Sequence, residues 1–112
     1  MHIDRRRSPR IEILGQLHAT NVEGGQALTV REISLGGMAI ETPGPFEVGS
    51  VHTFRLPLGD ESTVEMAGRV MHSRRSHAAS DAPITFVTGI QFVDDEPAER
   101  QSAVGEIIDR VR

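Results

Sequence analysis

Residues 27–42 read ALTVREISLGGMAIET, a pattern that is typical of two strands joined by a turn. Two runs with the composition of strands, 27–33 and 37–42, flank the short connection Ser34-Leu35-Gly36. Glycine at such a junction allows close backbone approach and φ above zero, so the chain can turn back on itself. The stretch therefore predicts two adjacent strands, the second and third of a β-rich chain.

Four further strands are predicted around this pair, because apolar and polar residues alternate along them. They cover residues 11–19, 51–58, 62–74 and 84–92. Gly24-Gly25 and Pro43-Gly44-Pro45 mark two of the turns, and residues 72–83 are predicted to form a polar loop. The sixth strand is expected to place four apolar side chains on one face: Ile84, Phe86, Ile90 and Phe92. Six short strands at this spacing predict an antiparallel barrel or sandwich.

The period of the apolar residues changes near the C-terminus. A stripe with the i, i+3, i+4, i+7 spacing of an α-helix is formed by Val104, Ile107, Ile108 and Val111. Acidic residues 94–96 precede the stripe, and Pro97 suits a first helical turn. We predict a helix over about 95–112 that packs on the sheet, with a partner-binding or dimer helix as the alternative.

Composition and charge narrow the class of protein. The chain has 112 residues, 16 acidic and 12 basic, and a formal net charge of −4. All 12 basic residues are arginine, and the absence of cysteine excludes disulfides and thiolate metal sites. No run reaches the ~18 apolar residues of a membrane span, and residues 1–10 lack the apolar core of a secretory signal. These features predict one small cytoplasmic domain.

Enzyme motifs are absent from the sequence. It contains no HExxH zinc motif, no GxSxG nucleophile elbow and no GxxxxGK[ST] phosphate loop. His72, His77 and Asp81 could approach one metal ion, but three ligands on one loop without supporting residues make a poor site. We therefore predict no catalytic residue, no metal and no cofactor.

The basic residues concentrate at the N-terminus. Residues 1–10 (MHIDRRRSPR) sum to +3, so residues 11–112 sum to −7, and such an acidic body has no general attraction for duplex nucleic acid. Arg6 and Arg10 form an RxxxR pair, which Pro9 places on an extended arm or turn rather than a helix face. Guanidinium grips phosphate bidentately and stacks on purines. The segment is predicted to be a flexible arm that holds a small anion; the alternative is a solvated terminus.

A second candidate site is the segment Glu32-Ile33-Ser34-Leu35-Gly36-Gly37 at the strand junction. Consecutive backbone amides at such a turn can form an anion-binding concavity, with the Ser34 hydroxyl as an additional donor. The alternative is a sharp turn with no ligand.

Together, the RxxxR arm and the following [D/N]xSxxG-like junction resemble the PilZ domain family, and the resemblance covers most of the chain. It implies a six-stranded antiparallel β-barrel over residues 11–112, with a C-terminal α-helix, that binds cyclic di-GMP. It also implies that Arg6 and Arg10 grip the ligand phosphate and stack on guanine. Ser34 and Gly37 match the serine and glycine of the family motif.

One position departs from the family pattern, because Glu32 stands where the family usually has Asp or Asn. Its carboxylate can still accept hydrogen bonds from guanine. The additional methylene displaces the acceptor and adds a rotamer to fix, at about 1 kcal/mol. Binding is expected to survive this change and to weaken.

The resemblance implies a cyclic di-GMP effector that orders its arm on the nucleotide and signals to a partner protein. The predicted ligand-binding residues are Arg6, Arg10, Glu32, Ser34, Gly36 and Gly37. One alternative is a PilZ-like interaction module that does not bind the nucleotide. Another is an OB-like barrel for single-stranded nucleic acid, which would need aromatic platforms that four phenylalanines on apparent core faces do not supply.

Overall fold

The structure is a computed structural model that describes residues 11–12, 17–59, 61–76, 83–93 and 97–111. Seven β-strands and one α-helix lie within these ranges. They are β1 (Ile11–Glu12), β2 (His18–Asn21), β3 (Gln26–Ser34), β4 (Gly37–Thr42), β5 (Val51–Gly59), β6 (Ser62–Arg75), β7 (Phe86–Phe92) and α1 (Pro97–Val111).

Six of the strands form a closed antiparallel barrel in the order β3-β2-β5-β6-β7-β4, because β4 pairs back with β3. The short β1 is an extra strand that pairs with the C-terminal part of β3. The N-terminal part of the same edge of β3 pairs with β2. The prediction of a mainly β, six-stranded antiparallel barrel with a C-terminal helix is confirmed. The basic arm predicted at residues 1–10 lies outside the described residues.

The first predicted strand, 11–19, is wrong as one continuous element. Ile11 lies opposite Ile33, whereas His18 lies opposite Thr29. Ile11 and His18 are therefore seven residues apart, whereas their partners on β3 are only four residues apart. The two registers differ by three residues, so β1 and β2 do not belong to one regular ladder with β3. Residues 13–16 of the predicted strand lie outside the described residues.

The boundary between the fifth and sixth predicted strands also differs from the sequence prediction. Residues 72–75 belong to β6 and are not part of a polar loop, because they continue to pair with β7 as far as Arg75 opposite Phe86. The strand β7 begins at Phe86, and Ile84 is 57% exposed rather than on the inner face. Ile84 precedes the paired residues, so no neighbouring strand covers it.

The barrel interior is filled by buried side chains from β2 to β7 and is closed by α1. Phe54, fully buried, lies within this cluster, and burying a ring of that size contributes roughly 1.5–3 kcal/mol. Val104, Ile107 and Ile108 are buried in the same cluster, so the predicted apolar stripe packs on the barrel. The described helix begins at Pro97, with Glu99 in its first turn and Arg110 in its last, as the helix dipole favours.

Candidate functional site

The Ser34–Gly37 turn closes the β3–β4 hairpin at the predicted junction. Ser34 lies opposite Gly37, and the Gly36 N–H donates to the Ser34 hydroxyl oxygen over 3.3 Å. The hydroxyl in turn donates to the Gly37 carbonyl, also over 3.3 Å. Both distances are long for hydrogen bonds, so the hydroxyl is held in position but can exchange its acceptor for a ligand oxygen.

The end of β7 fixes this turn to the rest of the molecule. The Phe92 N–H donates to the Gly36 carbonyl over 2.9 Å. The guanidinium carbon of Arg100, on α1, lies 5.7 Å from the centroid of the Phe92 ring, within the range of a cation–π contact. The turn therefore contacts the last residue of β7, and that residue in turn contacts the helix.

The two glycines of the turn have different roles. A Cβ on Gly37 would overlap the Ile90 carbonyl oxygen on β7, whereas a Cβ on Gly36 would enter open space. The expectation of φ above zero is wrong here, since the positive-φ glycines of the described chain are Gly25, Gly49 and Gly59. Gly37 is required because β7 passes close to its Cα, not because of its own backbone angle.

A β-bulge positions the acidic residue of the motif. The register between β3 and β4 shifts between Val30 and Glu32, with Arg31 as the additional residue. Val30 and Ile33 are both buried, while Glu32 lies between them on the outer side, opposite Ala39. Regular alternation from Val30 would have directed Glu32 into the core, so the bulge brings the carboxylate to the barrel surface.

A second bulge lies on β6, across the same surface. The register between β6 and β7 shifts between Val70 and His72, with Met71 as the additional residue. His72 is consequently exposed and lies opposite Gly89. The missing side chain of Gly89 leaves the space that the imidazole occupies, since a Cβ there would overlap His72 Nε2.

Between these bulges the outer barrel surface carries a cleft of about 440 Å³. Its lining comes from four strands and the hairpin turn: Glu32, Ile33, Ser34, Gly36, Gly37, Met38, Ala39, Met71, His72, Val87, Gly89, Ile90 and Gln91. A smaller recess of about 290 Å³ adjoins it, lined by Glu12, Arg31, Glu32, Ala39 and Val87. The shared residues make the two recesses one groove along β3, β4 and β7.

The groove has chemically distinct walls and a low floor. Glu32 and Ser34 stand on the β3 wall, and His72 stands on the β6 wall. The floor between them includes Gly37 and Ala39, and the His72 ring lies over Gly89 at the far side. Such a groove suits a planar ligand with hydrogen-bond donors at one end.

The structure brings four predicted site residues together, because Glu32, Ser34, Gly36 and Gly37 all line this cleft. The other two, Arg6 and Arg10, lie outside the described residues. Sequence reasoning missed the β6 and β7 contributions, notably Gly89 and His72. A glycine inside an otherwise apolar strand was a usable signal for Gly89, since it marks a close approach by another group.

Other site types find no support among the described residues. No group of three His, Asp or Glu side chains in that part of the chain could hold a metal ion. His77 and Asp81, considered with His72 as metal ligands, lie outside it. No described helix is long and apolar enough to span a membrane.

Comparison with known proteins agrees with this architecture. A sequence profile for the family described as PilZ domain matches residues 4–109. No curated protein matches the chain.

Solved PilZ structures superpose well on this barrel. The PilZ domain with c-di-GMP of YcgR from Escherichia coli gives a TM-score of 0.75 at 16% identity, covering 96% of this chain and 92% of that one. The K. pneumonia MrkH–c-di-GMP complex gives 0.72 at 18% identity, covering 95% of this chain and 52% of that one. The Bacillus subtilis inhibitor of motility (MotI/DgrA) gives 0.72 at 20% identity, covering 96% and 51%.

This chain thus spans nearly all of the YcgR domain but only about half the length of MrkH and MotI. At these identities the structural likeness establishes the fold. None of the matches points to an enzyme, and the YcgR domain and MrkH are both solved with c-di-GMP. The profile match covers almost the whole sequence, and the barrel with its Ser34–Gly37 turn agrees with it: the chain belongs to the PilZ domain family.

Proposed function

We propose that this protein is a cyclic di-GMP receptor that binds the nucleotide in the cleft beside the Ser34–Gly37 turn and catalyses no reaction. One observation carries the proposal: Glu32, Ser34 and Gly37 line one cleft of about 440 Å³ on the barrel surface. The family of the chain and the ligand of its structural relatives support the same assignment.

The β3 wall supplies recognition of the guanine base. The Glu32 carboxylate is an acceptor for the N–H donors on the Watson–Crick edge of guanine. Adenine presents a ring nitrogen lone pair to the same carboxylate, and two facing acceptors repel. The wall therefore discriminates between cyclic di-GMP and cyclic di-AMP by an unfavourable contact as well as a favourable one.

The phosphates need positive charge that the cleft itself lacks. None of the described residues that line the cleft is an arginine. The recess beside it holds Arg31 with two acids, Glu12 and Glu32, and residues 11–112 sum to −7. The arm, with its sum of +3, provides Arg6 and Arg10 for bidentate contacts with phosphate and for stacking on guanine. The Ser34 hydroxyl adds a donor when it exchanges the Gly37 carbonyl for a phosphate oxygen.

Signalling follows from the ordering of the arm on the nucleotide. A segment that folds onto its ligand creates a surface that the free protein does not present, and a partner protein can bind that surface. Such a receptor acts in the cytoplasm, because a second messenger is an intracellular molecule.

Thermal unfolding with increasing cyclic di-GMP tests this function, with cyclic di-AMP as the matched control. A ligand that binds only the folded state raises its stability by RT ln(1 + [L]/Kd). We expect Tm to rise with the logarithm of the cyclic di-GMP concentration and to stay constant with cyclic di-AMP. A constant Tm with both nucleotides would contradict the proposal and favour an interaction module that does not bind the nucleotide.

A further inference from the structure

We infer that His72 belongs to the nucleotide site as an aromatic platform, on which one guanine of cyclic di-GMP stacks at the wall opposite Glu32. This inference rests on the proposed function, because it names a further residue of the same cleft. It assigns a binding role to a residue that lies outside the two sequence motifs.

The backbone holds the imidazole at the cleft wall. The bulge at Met71 turns His72 to the outer surface, opposite Gly89. The ring then leans over the Gly89 backbone, since a Cβ on that glycine would lie 2.7 Å from His72 Cε1 and 2.9 Å from Cδ2. A ring that packs on a glycine has one side supported by protein and keeps surface for a ligand.

The position of His72 matches the shape of a ligand with two bases. Glu32, Ala39, Gly89 and His72 form one continuous cross-strand row. Three strand spacings separate the two ends of this row, or about 14 Å along the sheet. The His72 ring lies over Gly89, so Ala39 is the residue of the row left between that ring and Glu32. Cyclic di-GMP can lie across Ala39 with one guanine near each wall.

His72 is also the only aromatic ring among the described residues that line the cleft. Phe54 and Phe92, by contrast, are buried in the barrel core. Stacking on aromatic side chains is a general way in which proteins hold unpaired bases. Met71, 50% exposed and part of the same wall, adds apolar surface next to the ring.

Three substitutions separate stacking from other roles of His72 in calorimetric titrations with cyclic di-GMP. His72→Phe keeps an aromatic plane without nitrogens, His72→Gln keeps hydrogen-bonding groups without a ring, and His72→Ala keeps neither. We expect Phe to bind as tightly as the wild type. Ala and Gln should each bind about tenfold more weakly, as the loss of one stacking contact predicts.

His18 provides the matched control, because it is exposed on β2 and does not line the cleft. His18→Ala should bind the nucleotide like the wild type. A second readout is proton NMR of the histidine rings. Stacking under guanine should move the ring protons of His72 upfield by the ring current, while those of His18 stay in place.

The outcomes distinguish this inference from the proposed function. Absence of binding by the wild type overturns both. Binding by the wild type with unchanged affinity in His72→Ala overturns the His72 assignment and leaves the receptor function standing. Full affinity in His72→Gln together with loss in His72→Phe overturns stacking and indicates a hydrogen bond. Unfolding midpoints of all variants establish that each has kept its fold.

Discussion

Glu32 and His72 occupy the two ends of one cross-strand row, and each directly follows a β-bulge. The additional residue of each bulge, Arg31 or Met71, shifts the alternation by one position. Without these two residues, the side chains of Glu32 and His72 would point into the core. The cleft therefore depends on paired irregularities in a barrel that is otherwise regular around it.

Gly37→Ala should destabilise the fold and weaken nucleotide binding, because the new methyl group would overlap the Ile90 carbonyl oxygen. Relief requires β4 and β7 to separate, and overpacking of this kind costs typically 1–3 kcal/mol. Urea unfolding at neutral pH measures the loss. Gly36→Ala is the control for stability, since its methyl group would enter open space. Equal midpoints for the two variants would contradict the close approach at Gly37.

Glu32→Asp should tighten the binding of cyclic di-GMP about fivefold. The shorter side chain removes one rotatable bond that the ligand must fix, worth about 1 kcal/mol. The dissociation constant measured by calorimetry checks this. Glu41→Asp is the control, because Glu41 lies on β4 but does not line the cleft. Weaker binding by Glu32→Asp would mean that the longer reach of glutamate is what the site uses.

Arg10→Ala should weaken nucleotide binding at least tenfold, because a charged hydrogen bond to phosphate is worth roughly 1.5–3 kcal/mol. Arg7→Ala removes the same charge from the same arm outside the RxxxR pair and should cost much less. Arg10→Lys should recover only part of the loss, since an ammonium group cannot stack or bind in a bidentate manner. Equal losses for Arg7→Ala and Arg10→Ala would show that the arm acts by net charge alone.

Glu23 should make the stability of the barrel sensitive to acid. Hydrogen bonds from the Thr53 backbone N–H to both carboxylate oxygens, at 2.9 and 3.2 Å, lower the pKa of Glu23 below its usual 4.5. A carboxyl whose pKa is lowered by folding stabilises the fold above its unfolded pKa and loses that contribution as pH falls through its folded pKa. The contribution is therefore complete at neutral pH and declines below about pH 4.5.

Urea midpoints of the wild type and Glu23→Gln, measured from pH 7 down to pH 3, check this prediction. The difference between the two proteins should shrink as pH falls, because protonation removes the same charge that the substitution removes. Glu106→Gln, on the exposed side of α1, is the control and should not reproduce the trend. A constant difference across the range would contradict a pH-dependent role of the Glu23–Thr53 contact.

Elements of the fold could be predicted from the sequence wherever a local pattern of apolar residues repeats along the chain. The hairpin at residues 27–42 and the stripe containing Val104 were predicted correctly, because strand alternation and helical spacing both repeat within a few residues. The difference in register between β1 and β2 was not predicted, since it is a relation of both strands to β3. Register is a relation between distant segments, and a single strand does not encode it locally.

The part of the site on β3 and the hairpin turn could be predicted from the sequence, whereas the wall on β6 could not. Ser34 and Gly37 stand out as a glycine-rich junction with a hydroxyl. In the sequence His72 is a candidate only for a weak metal site, because its outward position depends on the bulge at Met71. Neither methionine nor arginine favours a bulge by its own backbone preference, so these two irregularities appear only when neighbouring strands are paired.

Calorimetric titration of the wild-type protein with cyclic di-GMP in low-salt buffer decides whether this barrel binds the nucleotide. We expect a saturating exothermic or endothermic isotherm at micromolar ligand, which diminishes strongly in Arg10→Ala. Absence of any heat of binding up to high micromolar ligand, from protein that unfolds cooperatively in urea, would contradict the assignment of this barrel as a cyclic di-GMP receptor.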